Sequence, residues 1–230
     1  MIDGWARRKI DPWITGLARP LAALGISPDA ITIAGCLIGL AAAAAIAAQA
    51  FATAVALILL SRLCDGLDGA VARLRGKVSD LGGYLDIVLD FFFYGAIPLA
   101  FAIAEPETNA LAAAALLFSF YVNGATFLAY AAIAARRGWK SEVRGPKSLY
   151  FTAGIAEAGE TLAFFIAFCI MPQWFPQLAL AFAILCMITA SARILQAIRE
   201  VRPGARQQNF ADADPGGPAS ANGRKTDRQG

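Results

Sequence analysis

Asp65, Asp68, Asp86 and Asp90 stand at i,i+3 and i,i+4 spacing inside two stretches that are otherwise apolar enough to lie in a membrane. The string reads Asp65-Gly66-Leu67-Asp68-Gly69-Ala70-Val71-Ala72-Arg73, then eight residues, then Gly82, Asp86 and Asp90. A carboxylate at the centre of a bilayer helix costs about 2.5–3.5 kcal/mol on insertion scales, so four of them need partners. Divalent metal is the natural one: two such cations would neutralise the four carboxylates. All-oxygen ligation favours Mg²⁺, Mn²⁺ or Ca²⁺ over zinc. Two metal ions can clamp the attacking and leaving oxygens of a phosphoryl transfer. Simple helix-to-helix ion pairing fails on counting, because Arg62 and Arg73 are the only basic residues in these two stretches.

Helices must position these groups. Steps of three and four return to the same side of a helix, so residues 65, 68, 69, 72 and 73 share one face, and 82, 86 and 90 share another. The short basic connection at 74–78 makes the two helices antiparallel neighbours whose acidic faces can meet. Gly66, Gly69 and Gly82 remove side chains where helices or a ligand must come close. At about 1.5 Å per residue, Asp65 and Asp90 lie roughly 12–16 Å from that connection. The expectation is a polar cavity in the cytoplasmic half of a bundle, with Arg73 at its mouth and Asp80 as a helix-start residue.

The 230-residue chain is 58% hydrophobic, above the range of soluble domains, so an all-α integral membrane protein is expected. Histidine is absent, which excludes imidazole ligation and His-dependent triads. Cys36, Cys64, Cys169 and Cys186 lack CxxC spacing and read as buried small hydrophobes. Six spans are expected, at about 29–49, 51–73, 80–104, 108–135, 149–171 and 177–198. Lysine and arginine cluster before the first span, between the second and third, between the fourth and fifth, and after the sixth. The positive-inside rule then places both termini in the cytoplasm. Residues 1–27 are expected to be an amphipathic surface helix rather than a signal peptide, with Asp11 as N-cap before Pro12. Residues 28–200 are the expected six-helix catalytic domain. The tail at 201–230, rich in Gly, Pro, Ala and Asp, is expected to be disordered.

The pattern D-x2-D-G-x2-A-R-x8-G-x3-D-x3-D is filled at every fixed position and resembles the signature of the CDP-alcohol phosphatidyltransferase family. With the six spans and the preceding helix, the resemblance extends over roughly residues 11–200. It implies transfer of a phosphatidyl group from CDP-diacylglycerol to a polar alcohol, with release of CMP. It further implies two divalent ions, Mg²⁺ or Mn²⁺, on Asp65, Asp68, Asp86 and Asp90, with Asp90 also the catalytic base. Gly69, Ala72, Arg73 and Gly82 match positions around the CDP donor. Pro28, Asp29 and Thr32 fall where the family approaches the nucleotide, although Asp29 replaces a usual asparagine. A homodimer in a bacterial inner membrane is implied too, and no nucleic-acid partner is expected. An aspartate base suits this chemistry, since a neighbouring divalent ion acidifies an alcohol.

The acceptor is open: glycerol 3-phosphate, another polyol phosphate, or an unphosphorylated head group. Arg144, Lys147 and Arg193 are candidates for holding an acceptor phosphate, though loop arginines also set topology. Glu157 and Glu160 lie in the fifth span at i,i+3; one pairs with Arg62 in the economical reading, or shapes the acceptor pocket. Two alternatives remain. One is a CDP-choline or CDP-ethanolamine type of enzyme acting on diacylglycerol. The other is a divalent-cation transporter, against which the absence of paired halves counts.

Overall fold

The computed structural model describes residues 2–137 and 158–201, with side chains placed from Asp11 onward. Among the described residues there are seven α-helices: α1 (Ile2–Ala23), α2 (Pro28–Ala47), α3 (Phe51–Leu74), α4 (Asp80–Ala104), α5 (Pro106–Arg136), α6 (Ala158–Ile170) and α7 (Phe175–Val201). A 3₁₀ turn, Pro172–Trp174, precedes α7.

Local chemistry sets the helix ends nearest the acidic residues. Ser27 caps α2, its Oγ accepting from the Ala30 amide at 3.2 Å, with Pro28 at the first helical position. Ser79 caps α4 in the same way, its Oγ accepting from the Gly82 amide at 3.0 Å. α3 ends where Gly76 takes φ +61°, with the Lys77 amide bonded to the Ala72 carbonyl at 2.9 Å. Arg75, just past that end, donates from Nη1 to the carbonyls of Gly25 and Ile26 at 2.7 and 2.6 Å. The start of α2 is thereby tied to the end of α3.

α1 corrects one expectation. It runs unbroken from Ile2 through both Pro12 and Pro20, so Asp11 lies within the helix and is not its N-cap. Ile14, Ala18, Leu21 and Ala22 face Ile31, Leu67, Ala70 and Val71. Trp13, Leu17 and Leu24 stay exposed.

The main core gathers at the other end of the bundle. Phe93 and Phe101 of α4, Phe165 and Phe168 of α6, and Phe175 and Phe182 of α7 are each at most 1% exposed. Phe101 stacks on Phe175 with ring centroids 4.3 Å apart, a favourable offset aromatic geometry. The buried Asn109 amide donates to the Phe101 carbonyl at 2.9 Å, joining the start of α5 to the end of α4.

Four segments among the described residues are long and apolar enough to cross a membrane: Pro28–Ala47, Asp80–Ala104, Pro106–Arg136 and Pro172–Val201. Six spans were expected. α3 has the length, at 24 residues, but Arg62, Asp65, Asp68 and Arg73 interrupt its apolar run. α6 is described over 13 residues, because the expected span at 149–171 begins outside the described residues. The expected tail, apart from Val201, also lies outside them. The chain divides into two compact units, Met1–Arg193 and Ile194–Gly230. In the second, the Gln196 side chain donates to Glu200 at 3.0 Å within the last turns of α7.

Candidate active site

α3 is two-faced. Leu67, Ala70 and Val71 turn toward α1, leaving Arg62, Asp65 and Asp68 to line a cavity. α4 contributes Asp86 and Asp90 to the same cavity. α2 packs against both helices and supplies Thr32 to the polar wall from its first turns, beside Ser61 of α3. Its close approach to α3 depends on Gly35, where an added Cβ would stand 2.9 Å from Cys64 Cβ. The buried Ser61 hydroxyl donates to the Gly35 carbonyl at 2.8 Å across this contact.

The four sequence-predicted aspartates are thus brought together, in two different ways. Asp65, Asp86 and Asp90 each turn a carboxylate oxygen to one point, all within 4.8 Å of one another. Asp68 lines the same cavity, but its Oδ2 accepts from Thr32 Oγ1 at 2.6 Å and its Oδ1 from the Gly69 amide. Thr32, expected beside the nucleotide, is in the structure a hydrogen-bond partner of Asp68. Hard oxygen donors converging at this spacing fit a divalent cation.

Arg62 belongs to the same site. Its Nη1 donates to Asp90 Oδ1 at 2.8 Å and lies 3.7 Å from Asp65 Oδ1. Among the described residues its acidic partners are therefore Asp90 and Asp65, members of the cluster itself. Both of these acids are on α3 and α4; Glu160 belongs to the first turn of α6, and Glu157 lies outside the described residues. The i,i+3 spacing of Arg62 and Asp65 was the available signal.

The other expected donor residues sit along the same edge without lining this cavity. Gly82 stands beside Asp29, since a Cβ added there would be 3.3 Å from Asp29 Oδ1. The surface over Gly69 is open except for Arg73, whose Nη1 is 3.4 Å from the position of an added Cβ. Ala72 follows on α3, one turn below Asp68, and Pro28 opens α2. Of the acceptor candidates, Arg193 donates from Nη1 to Asn123 Oδ1 at 3.1 Å. Arg144 and Lys147 lie outside the described residues.

The sequence pattern of the CDP-alcohol phosphatidyltransferases matches residues 25–192, which includes every helix that lines the cavity. The chain belongs to the CDP-alcohol phosphatidyltransferase family. It is a transferase of phospholipid synthesis and a multi-pass membrane protein, which leaves the transporter alternative without support. It is 41% identical over 194 residues to the inner membrane protein YnjF of Escherichia coli K12, covering 84% of this chain and 94% of that one. It is 39% identical over 84 residues to an archaetidylinositol phosphate synthase of Pyrococcus horikoshii, which is 36% of this chain and 45% of the relative. Among solved folds, it resembles the phosphatidylinositol phosphate synthase PgsA1 of Mycobacterium tuberculosis with CDP-DAG bound. That match has a TM-score of 0.65 at 24% identity, over 84% of this chain and 96% of that one. The same synthase in complex with manganese and citrate gives a TM-score of 0.67 at 22% identity, over 84% and 91%.

Proposed function

We propose that this transferase moves the phosphatidyl group of CDP-diacylglycerol onto the hydroxyl of a polar alcohol, releasing CMP. The observation that carries this is the convergence of Asp65, Asp86 and Asp90, with Asp68 beside them, in a chain of this family. The synthases of Pyrococcus and Mycobacterium are named for inositol phosphate lipids, and CDP-DAG is bound in the latter. These names favour a phosphorylated polyol as acceptor.

Asp65, Asp68, Asp86 and Asp90 would hold two divalent ions, Mg²⁺ or Mn²⁺. When bound, such ions neutralise the diphosphate and acidify the acceptor hydroxyl. Asp90 takes the hydroxyl proton as the acceptor oxygen bonds to the phosphatidyl phosphorus. The bond from that phosphorus to the bridging oxygen breaks, and CMP leaves with the electron pair. Thr32 keeps Asp68 in place. Asp29, Gly82, Gly69, Ala72 and Arg73 form the edge along which the cytidine diphosphate lies. Arg73 offers a bidentate partner to phosphate oxygens. α3 and the span expected at 149–171 complete the six spans. α1 lies on the cytoplasmic surface, both termini are cytoplasmic, and the enzyme works as a homodimer.

The test is CMP release by purified protein in lipid micelles with CDP-diacylglycerol, Mn²⁺ or Mg²⁺ and one acceptor at a time: glycerol 3-phosphate, inositol 1-phosphate, inositol or serine. Metal-dependent release with a phosphorylated polyol is the expected result. No release with any acceptor, together with turnover of CDP-choline and diacylglycerol, would overturn the donor assignment.

A further inference from the structure

We propose that Arg62 is a resident cation of the acidic site and competes with a divalent ion for Asp90. The inference rests on the proposal that the aspartates hold metal. A site built of carboxylates alone would have to stay open until metal arrived, at the cost of like charges facing each other in a partly dry cavity. In this chain the point of convergence is already served by a guanidinium. Arg62 Nη1 is at hydrogen-bond distance from Asp90 Oδ1, 2.8 Å, and within ion-pair distance of Asp65 Oδ1, 3.7 Å. Those two carboxylates are two of the three that converge within 4.8 Å. The same carboxylates therefore answer to the arginine and to a metal.

Arg62 is also built in rather than loosely placed. Its side chain is 17% exposed, less than Asp90 at 29% or Asp65 at 38%. Its guanidinium carbon lies 4.1 Å from the centroid of the Phe93 ring, at cation–π distance, and Nη2 donates to Ser61 Oγ at 3.3 Å. Holding that pose leaves Arg62 Nε buried without a hydrogen-bond partner. A buried orphan donor is normally avoided, so the pose is set by the pull of the two carboxylates. A metal ion that takes Asp90 must displace this pair, and the displaced guanidinium remains in the cavity wall above Phe93.

The test measures Mn²⁺ binding to the full chain in detergent, without nucleotide or lipid donor. Free Mn²⁺ is read by electron paramagnetic resonance, and thermal unfolding is followed in parallel. Wild type, R62Q, R62K and D86N are compared. R62Q is expected to bind Mn²⁺ at least about tenfold more tightly than wild type, as expected when a competing charge leaves a partly dry site. R62K, which keeps the cation, is expected to stay within about threefold of wild type. R62Q is expected to unfold at a lower temperature than wild type without metal, and to gain more from Mn²⁺. D86N is expected to lose binding, which ties the signal to this cluster. If R62Q does not fold, R62M, which keeps an apolar stem against Phe93, must show the same tightening. Unchanged or weaker binding in the folded Arg62 variant, with D86N still defective, overturns the competition and spares the metal reading. Mn²⁺ binding absent from wild type and variant alike overturns both.

Discussion

Thr32 on α2 donates a 2.6 Å hydrogen bond to Asp68 on α3, joining two helices at the wall of the acidic cavity. Hydrogen bonds to charged groups are worth about 1.5–3 kcal/mol. T32V keeps the shape and removes the donor, so kcat/KM for CMP release is expected to fall roughly 10- to 100-fold, with a lower melting temperature. T32S is expected to restore most of it. Wild-type kinetics in T32V would show that Asp68 needs no such support.

Gly35 predicts a packing defect that acts at a distance from the chemistry. A Cβ at Gly35 would stand 2.9 Å from Cys64 Cβ, an atom fixed to the α3 backbone, so α2 must move. G35A is expected to cost about 1–3 kcal/mol, read as a lower melting temperature in detergent. G83A, in α4 with nothing within 4 Å, is the control and should melt at or above the wild-type temperature. Equal melting of both variants would contradict the close α2–α3 approach.

Removing Arg75 takes away two hydrogen bonds to the α1–α2 connection, at 2.7 and 2.6 Å. Both are exposed, so R75A is expected to cost only about 1 kcal/mol of stability. Its larger effect is expected on the KM for the CDP donor, because Pro28, Asp29 and Thr32 follow that connection. Donor titrations of R75A check this, and an unchanged KM with lowered kcat would be the contrary result.

Chelation should silence the enzyme reversibly. EDTA is expected to abolish CMP release and to lower the melting temperature, since carboxylates within 4.8 Å then lose the cation they converge on. Mn²⁺ or Mg²⁺ should restore both. Full turnover in EDTA would contradict the metal assignment.

The acidic site was legible in the sequence because helical spacing is a one-dimensional signal. Asp65 and Asp68, and Asp86 and Asp90, needed only the turn of a helix to share a face. Ser27-Pro28 and Ser79 likewise wrote their helix starts in local chemistry. What was not legible depended on which helix packs on which. Arg62 had an i,i+3 acid in sequence, but its 2.8 Å partner, Asp90, is on the next helix. Thr32 could be placed near the site, but its bond to Asp68 follows from α2 packing against α3. Asp11-Pro12 resembled a helix start, yet α1 runs through it, because packing of Ile14, Ala18 and Leu21 outweighs one local start signal. In α3, length and charge gave opposing signals, and the charge belongs to the site.

The most direct test of the central claim is single-turnover CMP release by D90N, with CDP-diacylglycerol, Mn²⁺ and the acceptor that wild type uses. Donor binding is followed by thermal stabilisation in the same samples. The expected result is loss of CMP release with stabilisation by the donor largely retained, because Asp90 would take the acceptor proton while neighbouring residues hold the nucleotide. Wild-type-like CMP release from D90N would contradict the assignment.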